Sequence, residues 1–176
     1  MFRSGVLALV TGVVMLAAMG MTSQPAQALN AGALLPGDPA LVNLVAAEQA
    51  LVDLTNADRA ANGVDPLQVD PDTLAIARLR AESQLGAPSL SHYDAAGQLI
   101  FAQLLNDANL AYGLAGENLA RASGANDSGV TQRVEQALMQ SPLHRKNILE
   151  RIFKRVAVGA AIDFNGQIAF AEVYRD

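Results

Sequence analysis

The stretch Arg155–Tyr174, RVAVGAAIDFNGQIAFAEVY, decides the fold. Two apolar runs flank Asn165-Gly166, the dipeptide that most readily supplies the two left-handed residues of a type I′ turn, so the spacing predicts an antiparallel hairpin. Everything before it reads as helix. Leu44, Ala47, Leu51 and Leu54 recur at helical spacing until Gly63 ends the run. A second helix is expected to open at DPDT, residues 70–73, with Asp70 as cap and Pro71 at the first helical position. It buries Leu74, Ala77, Ala81 and Leu85 before Gly86 stops it. QLIFAQLLNDANL, residues 98–110, predicts a shorter helix. VTQRVEQALMQ, residues 130–140, predicts a longer one with Val130, Val134 and Ala137 on one face and Glu135 on the solvated face. Helices first and a hairpin last give an α+β domain whose helices cover the sheet.

The N-terminus has a separate character. A lone Arg3, an apolar run from Val6 to Met21 and a polar stretch ending Ala26-Gln27-Ala28 follow the layout of a secretory signal peptide. The run is shorter than the roughly 20 residues a membrane span needs. Residues 1–28 are therefore expected to be removed, an uncleaved anchor being the alternative. Residues 29–43, with scattered Gly and Pro, read as a spacer, and residues 44–176 as one domain, long enough to fold on its own core. The expected location is outside the cell or on its envelope, with no integral span once the signal is gone.

The chain has no cysteine, so disulfides, thiolate metal sites and cysteine nucleophiles are excluded. Its net charge of −5 disfavours nucleic acid as a partner, which needs a basic field. The basic segment HRKNILERIFKR, residues 144–155, reads as a solvated helix face.

Only two histidines are present. His144 lies in SPLHRKNIL, residues 141–149, where Ser141 is placed to cap a helix and Pro142 to start it. A helix start disfavours a second positive charge on an imidazole, leaving a neutral ring able to bind a metal or accept a proton. His92 lies in the polar loop SLSHYDAAG, residues 89–97. Between them AGENLA, residues 115–120, sets Glu117 beside Gly116, which allows close backbone approach, and Asn118, which can orient a neighbour. Two imidazoles and a carboxylate suffice to hold a divalent metal with one position open. They serve equally to hydrogen-bond across a cleft without metal, and residue types alone favour two separate surface or cap histidines. Arg59 reads as structural, in an ion pair with Asp58, Asp53 or a distant acid. Tyr93 either lines a cleft mouth or is an ordinary loop tyrosine, and Glu172 is read as a solvent-facing strand position.

The region Leu51–Tyr174 resembles the CAP superfamily, the cysteine-rich secretory protein, antigen 5 and pathogenesis-related 1 type, and is most similar to its cysteine-free bacterial branch. LVDLTNADRAANGVDPLQVDPDTLAIAR, Ser91-His92, Gly116-Glu117-Asn118, SPLHRKNIL and VAVG (156–159) follow in the family's order. The resemblance implies an α-β-α sandwich with a three- or four-stranded antiparallel sheet between helical layers. It also implies a cleft lined by His92, Glu117 and His144, with Asn118 and Ser141 beside them, holding zinc or another divalent cation in some members. Where many eukaryotic members have a tryptophan and a second cleft acid, this chain has Leu138 and Ser141, which weakens the expected metal site. The expected function is a non-enzymatic extracellular binding module for a small molecule, lipid, glycan or peptide. The alternatives are a metal-assisted hydrolase, though no G-x-S-x-G or H-E-x-x-H is present, and a structural or surface-interaction domain with a vestigial cleft.

Overall fold

The computed structural model describes residues 14–15, 28–29, 39–125 and 129–176, with side chains from Asn43 onward. The expected signal peptide and spacer lie largely outside the described residues. From Pro39 on, the described elements are α1 (Pro39–Ala61), β1 (Gln68–Val69), α2 (Leu74–Gln84), α3 (Ile100–Asp107), β2 (Ala115–Ser123), α4 (Val130–Gln140), α5 (Pro142–Ile148), β3 (Arg155–Asp163) and β4 (Gln167–Arg175). Helix α1 starts at Pro39, so the last residues of the expected spacer are helical.

These four strands lie in the order β2-β4-β3-β1. The hairpin pairs Arg155 with Arg175 through to Ile162 with Ile168, and β2 pairs antiparallel with β4 from Ala115 opposite Arg175 to Ser123 opposite Gln167. The two-residue β1 runs parallel to β3, so the sheet is mixed rather than purely antiparallel.

Side chains alternate between the faces of a strand. Val156, Val158, Ala160, Ile168, Phe170 and Tyr174 point to one layer, against Leu51 and Val52 of α1, Val134 and Leu138 of α4 and Ile148 of α5. Ala157, Ala161, Ala169, Ala171 and Val173 point to the other, against Ile76, Ala77 and Ala81 of α2 and Phe101 and Leu105 of α3. Both faces are covered, which is why the strands read as nearly unbroken apolar runs. The result is the expected α-β-α sandwich. On the α2 side the strand residues are small, and Gly159 is the extreme case: a Cβ there would lie 2.2 Å from the Ala77 carbonyl carbon and the Arg78 nitrogen.

Local details depart from expectation. The hairpin turn is a three-residue loop, Phe164–Gly166, in which Gly166 (φ +73°) has positive φ and Asn165 does not. The Asp163 carboxylate accepts from the N–H groups of Asn165 and Gln167, both at 2.9 Å, and holds this turn instead of type I′. Helix α2 begins three residues later than its sequence start signal, with Thr73 in the cap position and Leu74 only half-buried. Asp70 accepts instead from the Thr73 hydroxyl at 2.8 Å and from Arg175 Nε at 2.8 Å, tying the β1–α2 junction to the end of β4.

Arg59 is structural, as expected, but by another route. Its guanidinium donates to the carbonyls of Asp65 (2.7 Å), Ile148 (2.6 Å), Glu150 (3.0 Å) and Phe153 (3.4 Å) rather than to a carboxylate. The end of α5 and the turn after it are thereby hung from α1. Asn56, one turn earlier, brackets Leu67 by donating to its carbonyl and accepting from its N–H.

Candidate functional site

Ser141 is the corner between two helices. Its N–H closes α4 on the carbonyls of Ala137 and Leu138, and its extended backbone (φ −85°, ψ 118°) starts α5 with Pro142 in the first turn. The hydroxyl makes no capping bond, so backbone geometry and proline set the helix start. This places His144 inward with 0 % exposure, while Leu143 beside it is 51 % exposed. Neither His144 ring nitrogen has a hydrogen-bond partner among the described residues. Burial, with the His92 ring nearby as a smaller cause, pushes its pKa down to about 4.

His92 is held where its loop closes on α3, its carbonyl accepting from the Ile100 N–H at 2.9 Å. Its ring is 4 % exposed, and Nδ1 lies 2.7 Å from Glu117 Oε2. Glu117 projects from β2 toward α2, where Arg80 meets it with two bonds, Nε to Oε1 at 2.7 Å and Nη2 to Oε2 at 3.1 Å. Arg80 also donates to the Ser91 carbonyl at 2.6 Å and the Ser83 hydroxyl at 3.1 Å. Arginine, glutamate and histidine thus form one buried chain. The implied cleft residues lie beneath the surface, with exposed Tyr93 outside His92 and its ring edge-on to the imidazole.

Asn118, on the opposite face of β2, donates to Glu172 Oε2 (2.9 Å), Tyr174 Oη (3.2 Å) and the His144 carbonyl (3.3 Å). Asn147 of α5 donates to the Glu117 carbonyl and to Asn118 Oδ1. A side chain at Gly116 would meet Phe153 at 3.0 Å and Asn147 at 3.3 Å. The Gly-Glu-Asn triplet therefore packs under α5 at Gly116, reaches Arg80 of α2 through Glu117, and joins α5 to β4 through Asn118.

Glu172 and Glu135 are corrections to the sequence reading, because both are buried. The Thr55 hydroxyl lies 2.9 Å from Glu172 Oε1 and 3.2 Å from Glu135 Oε2. One hydroxyl has one hydrogen, so the second contact requires a proton on a carboxyl. Burial, reinforced by the Glu172 charge, pushes Glu135 up to about 10, and burial raises Glu172 as well.

Sequence reasoning missed Arg80. Its signal was position: Ile76, Ala77, Arg80, Ala81 and Gln84 form the buried stripe of α2, and an arginine within such a stripe needs a buried partner.

The depressed His144 pKa has a definite sign. The unfolded ring titrates near 6.5 and the folded ring near 4, so stability present in full above pH 6.5 is lost as pH falls toward 4. The loss approaches about 3 kcal/mol. Imidazole proton shifts of His144 are expected to show a midpoint near 4, and His144→Gln to lose less stability than the wild type between pH 7 and pH 4. A midpoint at 6 or above contradicts the buried, partnerless ring.

The profile of the cysteine-rich secretory protein family, CAP, matches residues 52–174. The protein YkwD of Bacillus subtilis strain 168 is 32% identical over 112 residues, covering 64% of this chain and 41% of that protein. An extracellular protein containing a SCP domain from Bacillus anthracis superimposes with TM-score 0.61 at 24% identity, covering 81% of this chain and 45% of that one. An outer surface protein of Borrelia burgdorferi superimposes with TM-score 0.63 at 16% identity, covering 74% of this chain and 92% of that one. The chain thus spans less than half the length of the two Bacillus proteins. The family match runs from α1 through every residue of the histidine site to Tyr174 in β4, and on that ground the chain belongs to the CAP family, as a cysteine-free member of the bacterial kind.

Proposed function

We propose that the chain is a non-enzymatic extracellular binding module whose ligand is held at the His92–His144 pair. One observation carries this reading: three buried ring nitrogens, His92 Nε2 and both of His144, have no hydrogen-bond partner among the described residues. Buried polar atoms are nearly always satisfied, so three orphans on two neighbouring rings mark a place built for a ligand's polar group. A neutral His144 offers one donor and one acceptor, which suits a small molecule or the polar end of a lipid, glycan or peptide.

The signal-like N-terminus and the surface or extracellular relatives support an extracellular location. No helix of the described residues is long and apolar enough to cross a membrane. Hydrolysis has less support. Glu117 is committed to Arg80 and His92, and the Ser91 hydroxyl is engaged with the Tyr93 backbone rather than a histidine ring.

The test is a set of imidazole proton–nitrogen spectra of the full chain, recorded against panels of lipids, glycans and peptides. Both histidines are expected to shift with the same ligand, and His144→Ala to weaken it at least about tenfold through one lost buried hydrogen bond. Binding that survives replacement of both histidines removes the site. Ester, peptide or glycan turnover that vanishes in Glu117→Ala would replace binding with catalysis.

A further inference from the structure

The residues that the family resemblance offers for a metal do not fit one. A divalent cation needs free lone pairs from its carboxylate ligand, and three of the roughly four lone-pair sites of Glu117 are already taken, on Oε1 by Arg80 Nε and on Oε2 by Arg80 Nη2 and His92 Nδ1. Among the described residues no three histidine or acidic side chains are arranged to hold a metal ion. Resting on the binding reading above, we infer that Arg80 is the permanent counter-cation of this site and that the site therefore selects an uncharged hydroxyl or amide donor over a metal cation.

The Arg80–Glu117 pair is bidentate and almost fully buried, the arrangement in which a guanidinium holds a carboxylate in one orientation. The carboxylate is an acceptor, so the 2.7 Å contact puts a hydrogen of His92 on Nδ1, and of the two neutral tautomers it selects the one with the lone pair on Nε2. The unpartnered His92 Nε2 and the unpartnered ring nitrogens of His144 suit a ligand that brings an O–H or N–H. A dication placed beside them would meet a fixed guanidinium across Glu117, and among the described residues no further acid is grouped with the two rings to balance it, which is costly in a buried setting. Arg80 acts through Glu117 and His92, and is a positioning residue.

The experiment is a zinc chloride titration of the full chain, followed by calorimetry and by imidazole proton–nitrogen spectra, for wild type, Arg80→Lys and Arg80→Gln. The wild type is expected to show His92 as the Nδ1–H tautomer and no stoichiometric response of either ring to zinc. Arg80→Lys keeps a cation and is expected to behave alike. In Arg80→Gln, zinc affinity is expected to rise at least about tenfold, the scale on which groups behind a ligand tune metal sites, and zinc should raise its thermal midpoint. Stoichiometric zinc binding by the wild type with both rings shifting overturns the role of Arg80 and leaves the binding reading intact. An Nε2–H tautomer of His92 overturns it too, and both readouts use only wild-type protein should Arg80→Gln fail to fold. Zinc silence and the Nδ1–H tautomer, together with ligand binding that ignores both histidines, would keep Arg80 in this role and remove the binding reading.

Discussion

Gly159→Ala is expected to cost more than about 4 kcal/mol, at the exceptional end of single substitutions. The added methyl would sit 2.2 Å from the Ala77 carbonyl carbon, 2.2 Å from the Arg78 nitrogen and 2.4 Å from the Ala77 oxygen. All three are backbone atoms of α2, so no rotamer change relieves the contact. The helix must lift away from β3, and packed interiors lose dispersion contacts steeply with such gaps. Ile76, Ala77 and Ala81 would lose the sheet beneath them, and Arg80 would be drawn off Glu117. Urea unfolding of the full chain, followed by circular dichroism, is expected to show a collapsed or absent transition. Gly116→Ala provides the contrast, because the nearest atoms to its methyl are side-chain atoms, of Phe153 at 3.0 Å and Asn147 at 3.3 Å, rather than backbone. A Gly159→Ala midpoint equal to wild type would mean that α2 does not lie on β3 as described.

Arg59→Met is expected to cost about 3–5 kcal/mol, because it strips the donor from several carbonyls while leaving them partly or fully buried. The methionine keeps most of the apolar stem, so the loss isolates the guanidinium. The four carbonyls span Asp65, the end of α5 and the turn leading to β3. The guanidinium joins them as a planar fork that lysine lacks, so Arg59→Lys should recover a minor part of the loss. Amide exchange in α5 should accelerate, and the His144 resonances should broaden, since α5 carries that ring. Unchanged exchange in α5 would show that other contacts hold it.

What the sequence disclosed follows from the range of each signal. The helices and the hairpin were legible because periodicity and Gly-bounded runs are local, whereas helical layers on both faces of β3 and β4 were expected only from the family resemblance. The turn type was not, since Asp163 rather than Asn-Gly decides it. The family resemblance grouped His92, Glu117 and His144, and the structure puts His92 against Glu117, yet the arginine that commands Glu117 lies 37 positions away on a helix read only for its apolar residues. Glu135 and Glu172 looked solvated because a charged letter in an amphipathic pattern usually is. Their burial depends on Thr55, 80 and 117 positions distant, which no local pattern reports.

The shared hydrogen of Thr55 has a consequence for the molecule's ionic inventory. With Glu135 moved from the ordinary 4.5 to about 10, the folded chain at neutral pH keeps a proton that the same chain gives up when it opens. A raised pKa of this kind favours the native state fully below pH 4.5 and withdraws that support as pH climbs toward 10. Electrophoretic charge and residue count should therefore disagree: the folded protein is less negative by about one charge than its formal −5, and opening it acidifies an unbuffered solution.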